Sequence, residues 1–410
     1  MQLKTITELL ALPNYKVTEE LPTDNQEHVH YLLEQTKTTA PVCSECGHVH
    51  NNSVHSKKLV IVEDLRLSGK RVFLHVAKRK SRCNKDGRIR VEKIDWIRGR
   101  FTRRFAEQIN RLTSITTNTE AGWFLGLDDE TVYRIDRSML EELALERLES
   151  IAAPLHMSVA EVAWQKWHHY LTNVVDIEKH KVIWNHDGRG KDVLNRFYKA
   201  LGEQQCKQIK AVASDGARGY IASTKENAAQ ALIVLDHFHV KKYLNDAVDT
   251  VRKQELRKAR DSNDKELSGM LHCNKRFILM QNKVTNKKRD MLEILSKLNQ
   301  SVYQAMLLKE QFLCIYTAAD RTKAWLNLKK WIVAALQSKI PEFVELGKKF
   351  FRKRHYVLNY FICKITTAIS EGINNKIKRL KRMAYGYRDV QYFLLKIQQH
   401  CGLLNPRLST

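Results

Sequence analysis

Two classes of side chain in this 410-residue sequence have the type and spacing for chemistry, thiols near the N-terminus and carboxylates further on. Cys43-Ser-Glu-Cys46, followed by Gly47, is a knuckle in which two thiolates on a tight turn share one tetrahedral Zn²⁺. A closed site needs two more ligands. Cys83 is the natural third, and a second such knuckle would end at Asp86. Zinc accepts a carboxylate, but structural sites prefer Cys or His, so His48, His50 and His55 compete for the fourth place. One zinc per chain is expected. A redox pair or bare thiols is the weaker reading, because a small β module with little core gains stability from metal. Cys206, Cys273, Cys314, Cys363 and Cys401 are scattered singly and read as reduced thiols.

Among the carboxylates, Asp215 closes the apolar run IKAVASD. An acid at the carboxyl edge of a sheet is where metal-dependent phosphoryl-transfer sites are built. Asp176 ends YLTNVVD and Asp236 ends ALIVLD; both read as turn or N-cap residues, since Asp commonly follows strands. Glu371 stands apart. Ile365, Ile369, Ile373, Ile377, Leu380 and Ala384 mark one apolar helix face, while Glu371, Asn375, Lys378 and Arg382 mark a polar one. Between positions 348 and 388 there are twelve Lys and Arg and a single acid, Glu371. A solvated helix face is the ordinary reading, yet one acid in so basic a field better suits a metal ligand flanked by phosphate contacts.

These residues need elements to hold them. The chain carries 70 Lys and Arg against 45 Asp and Glu, a formal +25, and 43% hydrophobic residues, enough for real cores. Such an excess calls for a polyanion, nucleic acid first, with ribosomal or membrane-surface association the plainer use of charge. No apolar run approaches the roughly 18 residues of a membrane span, and the N-terminal residues lack a secretory pattern. Residues 27–92 read as strands, HVHYLLEQ, KLVIVED and KRVFLHVAKR, the last with Val72, Leu74 and Val76 on one side. From Thr102 to about Leu148 the pattern is helical. A turn at Leu125-Gly126-Leu127-Asp128 and a second helix capped by Asp128 or Asp129 make a helix-turn-helix candidate, with Glu130, Thr131, Tyr133 and Arg134 near a major groove. After Pro154, strand, hairpin, helix, strand, helix and strand form an α/β core. No proline occurs from 155 to 340, which favours long helices after residue 240. His237 and His239 either orient a phosphate or water or are hydrogen-bonded core histidines. Trp325 and Trp331 read as helix-packing residues rather than base-stacking ones.

Taken together, the knuckle, the helix-turn-helix, VVD, SDGARGYI, LDHFHVKKYLNDAVDTVR and SEGINNKIKRLKRMAYGYR resemble the insertion-sequence transposases of the ISL-three family, over essentially the whole chain. The resemblance implies a multidomain α+β protein: a zinc-binding module (1–95), a helix-turn-helix domain (96–150), an RNase H-like core (151–238), an all-α insertion (239–355) and the closing part of the core (356–410). It implies a DDE triad holding two Mg²⁺ or Mn²⁺ ions, with Asp215 as second acid and Glu371 as third. It further implies that this chain binds double-stranded DNA, both terminal inverted repeats and target, cuts the element ends and transfers the freed 3′-hydroxyls. The contacts fall to Thr131, Tyr133, Arg134, Asn375, Lys378, Arg379, Lys381, Arg382 and Arg388. A homodimer in the bacterial cytoplasm, associated with the nucleoid, is expected, with no membrane partner.

One position breaks the family pattern. Asp then Glu are expected on the opening strand, and this chain reads Ser158-Val159-Ala160-Glu161-Val162-Ala163. Ala160 stands where the first acid belongs. Glu161 is a poor substitute because adjacent strand residues face opposite ways, and Asp176 on the neighbouring strand is the other acid that can approach. The expectation is weakened metal binding and a catalytically inactive chain, the intact remainder of the pattern reading as an engineered Asp→Ala change that traps a DNA complex. The competing reading is a non-catalytic, sequence-specific DNA-binding regulator that uses the zinc module and helix-turn-helix.

Overall fold

The computed structural model describes residues 3–37, 39–49, 54–148, 151–165, 167, 169–279 and 286–404. The chain divides into two compact units, a first up to Glu146 and a second from Arg147 onward.

In the first unit, helix α1 (Leu3–Leu10) precedes a sheet whose main strands are β1 (Tyr15–Leu21), β2 (His28–Gln35), β3 (Ser56–Leu67) and β4 (Lys70–Arg82). The short strands β5 (Ile89–Val91), β6 (Ile97–Arg98) and β7 (Phe101–Thr102) complete it, in the order β1-β2-β4-β3-β7-β6 with β5 beside β4. The alternation in KRVFLHVAKR does what its period demands: Val72, Leu74 and Val76 are fully buried, packed with Ile6, Leu10, Tyr31 and Leu33. α1, β1 and the short strands are additions that the sequence pattern did not announce.

Three helices follow, α2 (Arg103–Thr113), α3 (Asn118–Leu125) and α4 (Asp129–Leu148). Thr117 and Glu120 form a reciprocal capping box at the start of α3. Asp128, rather than Asp129, caps α4, accepting the Thr131 amide at 2.7 Å. The corner is tight at Gly122, where a Cβ would lie 2.6 Å from the Leu127 carbonyl oxygen. Buried Asp136 of α4 holds α2 in place by accepting from Asn110 Nδ2 (2.8 Å) and Thr113 Oγ1 (2.6 Å).

The second unit opens with β8 (His156–Gln165), β9 (His169–Asp176) and β10 (Lys181–Asp187), continues through α5 (Lys191–Leu201), α6 (Glu203–Cys206), β11 (Ala211–Ser214) and α7 (Arg218–Asn227), and reaches β12 (Leu232–Leu235). Strand order is β10-β9-β8-β11-β12, the first three antiparallel and the last two parallel to β8. Helices then run almost unbroken: α8 (His237–Asp261), α9 (Lys265–Cys273), α10 (Lys275–Leu279), α11 (Asn286–Leu298), α12 (Gln300–Leu313), α13 (Arg321–Gln337), α14 (Pro341–Arg352), α15 (Arg354–Leu358) and α16 (Tyr360–Cys363). They share a core of their own around Phe312, Trp331, Phe343 and Phe350. Trp331 is buried there, its Nε1 donating to the Leu308 carbonyl at 2.7 Å, a packing role.

The chain returns to the sheet with α17 (Ala368–Met383) and α18 (Val390–Cys401). α17 lies over β8 and α18 over β10, while α5 and α7 pack together on the opposite face. The anticipated stripe is the buried one, with Ile373, Ile377 and Leu380 meeting Val162, Leu171 and Val175. Among the described residues, no helix is long and apolar enough to cross a membrane.

Gly122→Ala tests the helical corner. The added methyl meets backbone rather than a flexible side chain, so a loss of about 1–3 kcal/mol is expected, read as a lower urea midpoint with α-helical CD otherwise retained.

Candidate functional site

The opening strand of the second unit distributes its side chains by the two-residue period of a β-strand. Met157 and Val159 enter the core under α5 and α7, whereas Val162 and Trp164 enter the one under α17 and α18. Ser158 and Ala160 share the α17 face, and Ser158 Oγ is hydrogen-bonded to Ser370 Oγ in the first turn of α17, with both residues buried. Glu371 is the next residue, half-buried above the same strand.

Asp215 arrives from the other side of β8. β11 pairs Ala211 with His156, Val212 with Met157 and Ala213 with Ser158; two more residues in that register bring Asp215 level with Ala160. The turn beyond is tight: Ala217 N–H donates to Asp215 Oδ1 at 2.8 Å, and Gly216 has φ +77°. The positive φ is what favours glycine here; a Cβ would also come within 2.6 Å of Leu235 Cδ1 and oblige that side chain to move. Position 160 and Asp215 thus lie just beyond the paired ends of neighbouring strands, and the first turn of α17 is held over β8 two residues before 160.

The two other acids do not join them. Glu161 points to the opposite face, where Tyr220 Oη donates to its Oε1 at 2.6 Å. Asp176 pairs with Met157, three residues before Ala160 and roughly 10 Å away along the strand. It closes the β9–β10 turn by accepting the Lys179 amide at 2.9 Å, so the expectation that it can approach the site gives way to a structural role. Asp236 is the N-cap of α8, accepting from the amides of Phe238 (3.2 Å) and His239 (3.3 Å) and from His239 Nδ1 (2.7 Å). His237 is packed edge-on against Tyr316, and burial pushes its pKa down to about 4, keeping it neutral.

Two lysines of the basic run, Lys349 in α14 and Lys353 just after it, lie beside the Asp215 turn, a placement that charge counting along the chain does not reveal. Lys353 Nζ donates to the Gly216 carbonyl, Lys349 Nζ lies 3.1 Å from the centre of the Tyr243 ring, and Tyr243 Oη donates to the Asp215 carbonyl at 3.1 Å. Burial pushes the Lys349 ammonium down to about 8, with Lys353 adding to the shift and Asp215 opposing it.

In the first unit Cys43, Cys46 and Cys83 converge, all three sulfurs within 4.8 Å of one another and Cys46 to Cys83 at 3.8 Å. Asp86, the expected fourth ligand, lies outside that group. Its carboxylate is bonded to Arg90 Nη2 at 2.6 Å and to the Arg88 amide at 3.0 Å, and this pairing with Arg90 holds it at about 2. His48 and His55 are exposed and also outside the group, His55 Nδ1 being 3.4 Å from Ser56 Oγ, and His50 falls outside the described residues. Three converging thiols are three of the four donors that a structural zinc site requires.

The family model described as a transposase, that of the ISL3 group, matches residues 157–397, and the one described as the zinc-finger of transposase IS204/IS1001/IS1096/IS1165 matches residues 39–86. The chain belongs to the ISL3 transposase family. It is 31% identical over 373 residues to the transposase for insertion sequence element IS1001 of Bordetella parapertussis, covering 88% of this chain and 89% of that one. It is 26% identical over 266 residues, 60% of each chain, to the transposase for insertion sequence element IS1557 of Mycobacterium tuberculosis. The zinc-finger match contains all three clustered cysteines, so the transposase carries a DNA-binding zinc ribbon.

Of the expected DNA contacts of this transposase, Asn375, Lys378, Arg379, Arg382 and Arg388 are exposed and Lys381 is half-buried. Arg134 is exposed on α4. Thr131 is not available: it is buried at 4% exposure, and its hydroxyl accepts from Arg134 Nη2 at 3.2 Å. Spacing along a helix placed it correctly near the turn but could not show that α4 is so deeply seated there. Tyr133 is half-buried, its hydroxyl accepting from Arg137 at 2.8 Å.

Metal analysis of the purified transposase is expected to find about one zinc per chain. Cys83→Ser should lose that zinc and lower the melting temperature, because metal binding and folding of such a module are coupled; a chain free of zinc yet equally stable would rule out the assignment.

Proposed function

We propose that the chain is a DNA-end-binding transposase of RNase H-like fold whose catalytic positions are 160, Asp215 and Glu371, and that alanine at 160 leaves it able to bind element ends but not to cut them. What supports this reading is the β8–β11 register, which runs toward Ala160 and Asp215 together, and the Ser158–Ser370 hydrogen bond, which holds the residue before Glu371 over β8 two positions ahead of 160. The strand order, three antiparallel strands followed by two parallel ones, supports the RNase H-like assignment.

Two divalent ions bridged roughly 4 Å apart need carboxylates to balance their charge. As it stands the site supplies two, Asp215 and Glu371, and only a methyl group at 160. The residues present therefore do not fit a bridged two-metal centre, and no cleavage step is assigned to this chain. What they do fit is phosphate binding. Lys349 and Lys353 flank Asp215, and the exposed cations of α17 continue from Glu371 toward Arg388. A strand end laid on this surface passes over position 160, with Arg134 on α4 available for recognition in the first unit. Paired-end chemistry makes a homodimer the working assembly. The zinc is held by Cys43, Cys46 and Cys83, with Asp86 as the fourth ligand once it leaves Arg90.

Restoring Asp at 160 tests the catalytic reading. With Mg²⁺ or Mn²⁺ and DNA bearing the cognate terminal repeats, Ala160→Asp is expected to nick at the element end. Adding Asp215→Asn or Glu371→Gln should abolish nicking and leave end binding intact. A restored protein that binds tightly and never nicks favours the non-catalytic regulator instead.

A second expectation concerns pH. Lys349 loses its charge near pH 8, so its contribution to DNA binding is present below that value and fades as pH rises through it. End affinity measured at constant salt should fall from pH 7 to 9, and Lys349→Arg, which stays charged throughout, should flatten that part of the profile.

A further inference from the structure

Asn173 sits in the middle of β9, fully buried, and neither its Nδ2 nor its Oδ1 has a hydrogen-bond partner among the described residues. Buried side-chain amides are almost always paired, so one with both ends open marks something missing beside it. The β8–β9 register identifies what that is. Asn173 pairs directly with Ala160, and directly opposed residues on an antiparallel pair share a face with their Cβ atoms about 4.5–5.5 Å apart. The neighbours of Asn173 agree on the face: Leu171 and Val175 belong to the core under α17, while Thr172 turns the other way, toward Tyr220.

Among the described residues, the amide facing Asn173 from the other neighbouring strand is already engaged elsewhere. Asn185 on β10 also pairs with Asn173, but its Nδ2 donates to the Leu394 carbonyl at 3.0 Å and its Oδ1 accepts from Gln398 at 3.3 Å. A further unpaired oxygen, Asn374 Oδ1, belongs to α17 one turn beyond Ser370, the residue that bonds Ser158 of β8. The unpaired amide of Asn173 thus stands opposite a position that carries only a methyl group.

We infer that Asn173 is the positioning residue for a carboxylate at position 160: its Nδ2–H would donate to one carboxylate oxygen and leave the other free to serve as a ligand. This rests on the catalytic reading proposed above, and it concerns a residue that does not itself touch the reacting atoms. Partners of this kind orient metal-binding carboxylates, and their loss typically costs ten- to a hundredfold in metal affinity. The unpaired amide is then the trace of a side chain that the rest of the site is built to receive.

The test is a cycle of four proteins: the present chain, Ala160→Asp, Asn173→Leu and the double variant. It is read by Mn²⁺ binding in electron paramagnetic resonance and by thermal melting, without DNA or turnover. Asn173→Leu is expected to raise the melting temperature when residue 160 is alanine, because it removes an unpaired buried amide. In the Ala160→Asp background the same change is expected to weaken Mn²⁺ binding ten- to a hundredfold and to lower the melting temperature. Asn173→Ala repeats the comparison should leucine prove too large for the chain to fold. Mn²⁺ affinity of Ala160→Asp unchanged within twofold by either substitution overturns the inference, as does an equal drop in melting temperature in both backgrounds. The outcome is separable from the fate of the catalytic reading. Asn173-dependent Mn²⁺ binding without nicking sustains the positioning role and sinks the catalysis, and nicking indifferent to Asn173 does the reverse.

Discussion

Everything at this site depends on the two-residue period of a single strand. β8 is buried on both faces, so each of its side chains is committed to one helical layer or the other. That commitment sends Glu161 to Tyr220 and Ala160 to the α17 side, two positions adjacent in sequence and without a common neighbour of importance. A one-residue slip would exchange them, but it would also drive Val162 and Trp164 out of one core and Met157 and Val159 out of the other. The cost of misplacing four large apolar side chains, each contributing about 1.5–3 kcal/mol when buried, far exceeds anything one carboxylate could return. Core packing therefore fixes which residue can serve the site.

The same logic explains how a long interruption is tolerated. Asp215 and Glu371 are 156 positions apart in sequence, yet the intervening helices form a core of their own and return the chain at α17. Loop-closure entropy grows only slowly with length, so a self-supporting insertion adds little penalty to closing the sheet. It also contributes at the site: Tyr243 of α8 bonds the Asp215 carbonyl, Lys349 of α14 lies over the Tyr243 ring, and Lys353 bonds the Gly216 carbonyl. Asp236 joins the two parts, capping α8 while also accepting the Thr367 amide just before α17 at 3.4 Å.

Much of this was legible in the sequence because it is written in local patterns. The alternation at Val72, Leu74 and Val76, the apolar stripe of Ile373, Ile377 and Leu380, and the succession of strands and helices around Asp215 all follow from periodicity, which the backbone enforces residue by residue. Cys83 joining Cys43 and Cys46 was likewise readable from ligand chemistry. What resisted reading depends on tertiary register. Thr131 has the right spacing for a groove and is buried because α4 seats against its neighbours at that turn. Asp86 is well placed in sequence for zinc but is bonded to Arg90. Asn173 carried the one available signal, an amide inside the apolar run Leu171 to Val175, and its meaning appears only once Ala160 is set opposite to it.

Binding and cutting are separable here because they draw on different physics. Affinity for a phosphate backbone accumulates over many cations, each adding a comparable increment that salt screens, and the chain's +25 is spread over far more side chains than any one site holds. Removing one acid from such a surface takes away a repulsive charge near the phosphates and leaves every attractive one in place. Catalysis has no such redundancy, because only interactions stronger in the transition state than in the ground state accelerate the reaction, and on the proposed reading those converge beside position 160. On that reading, alanine there keeps the distributed term whole and removes the concentrated one. The local imbalance it leaves, an unpaired Asn173 beside a methyl group, is felt by folding rather than by DNA.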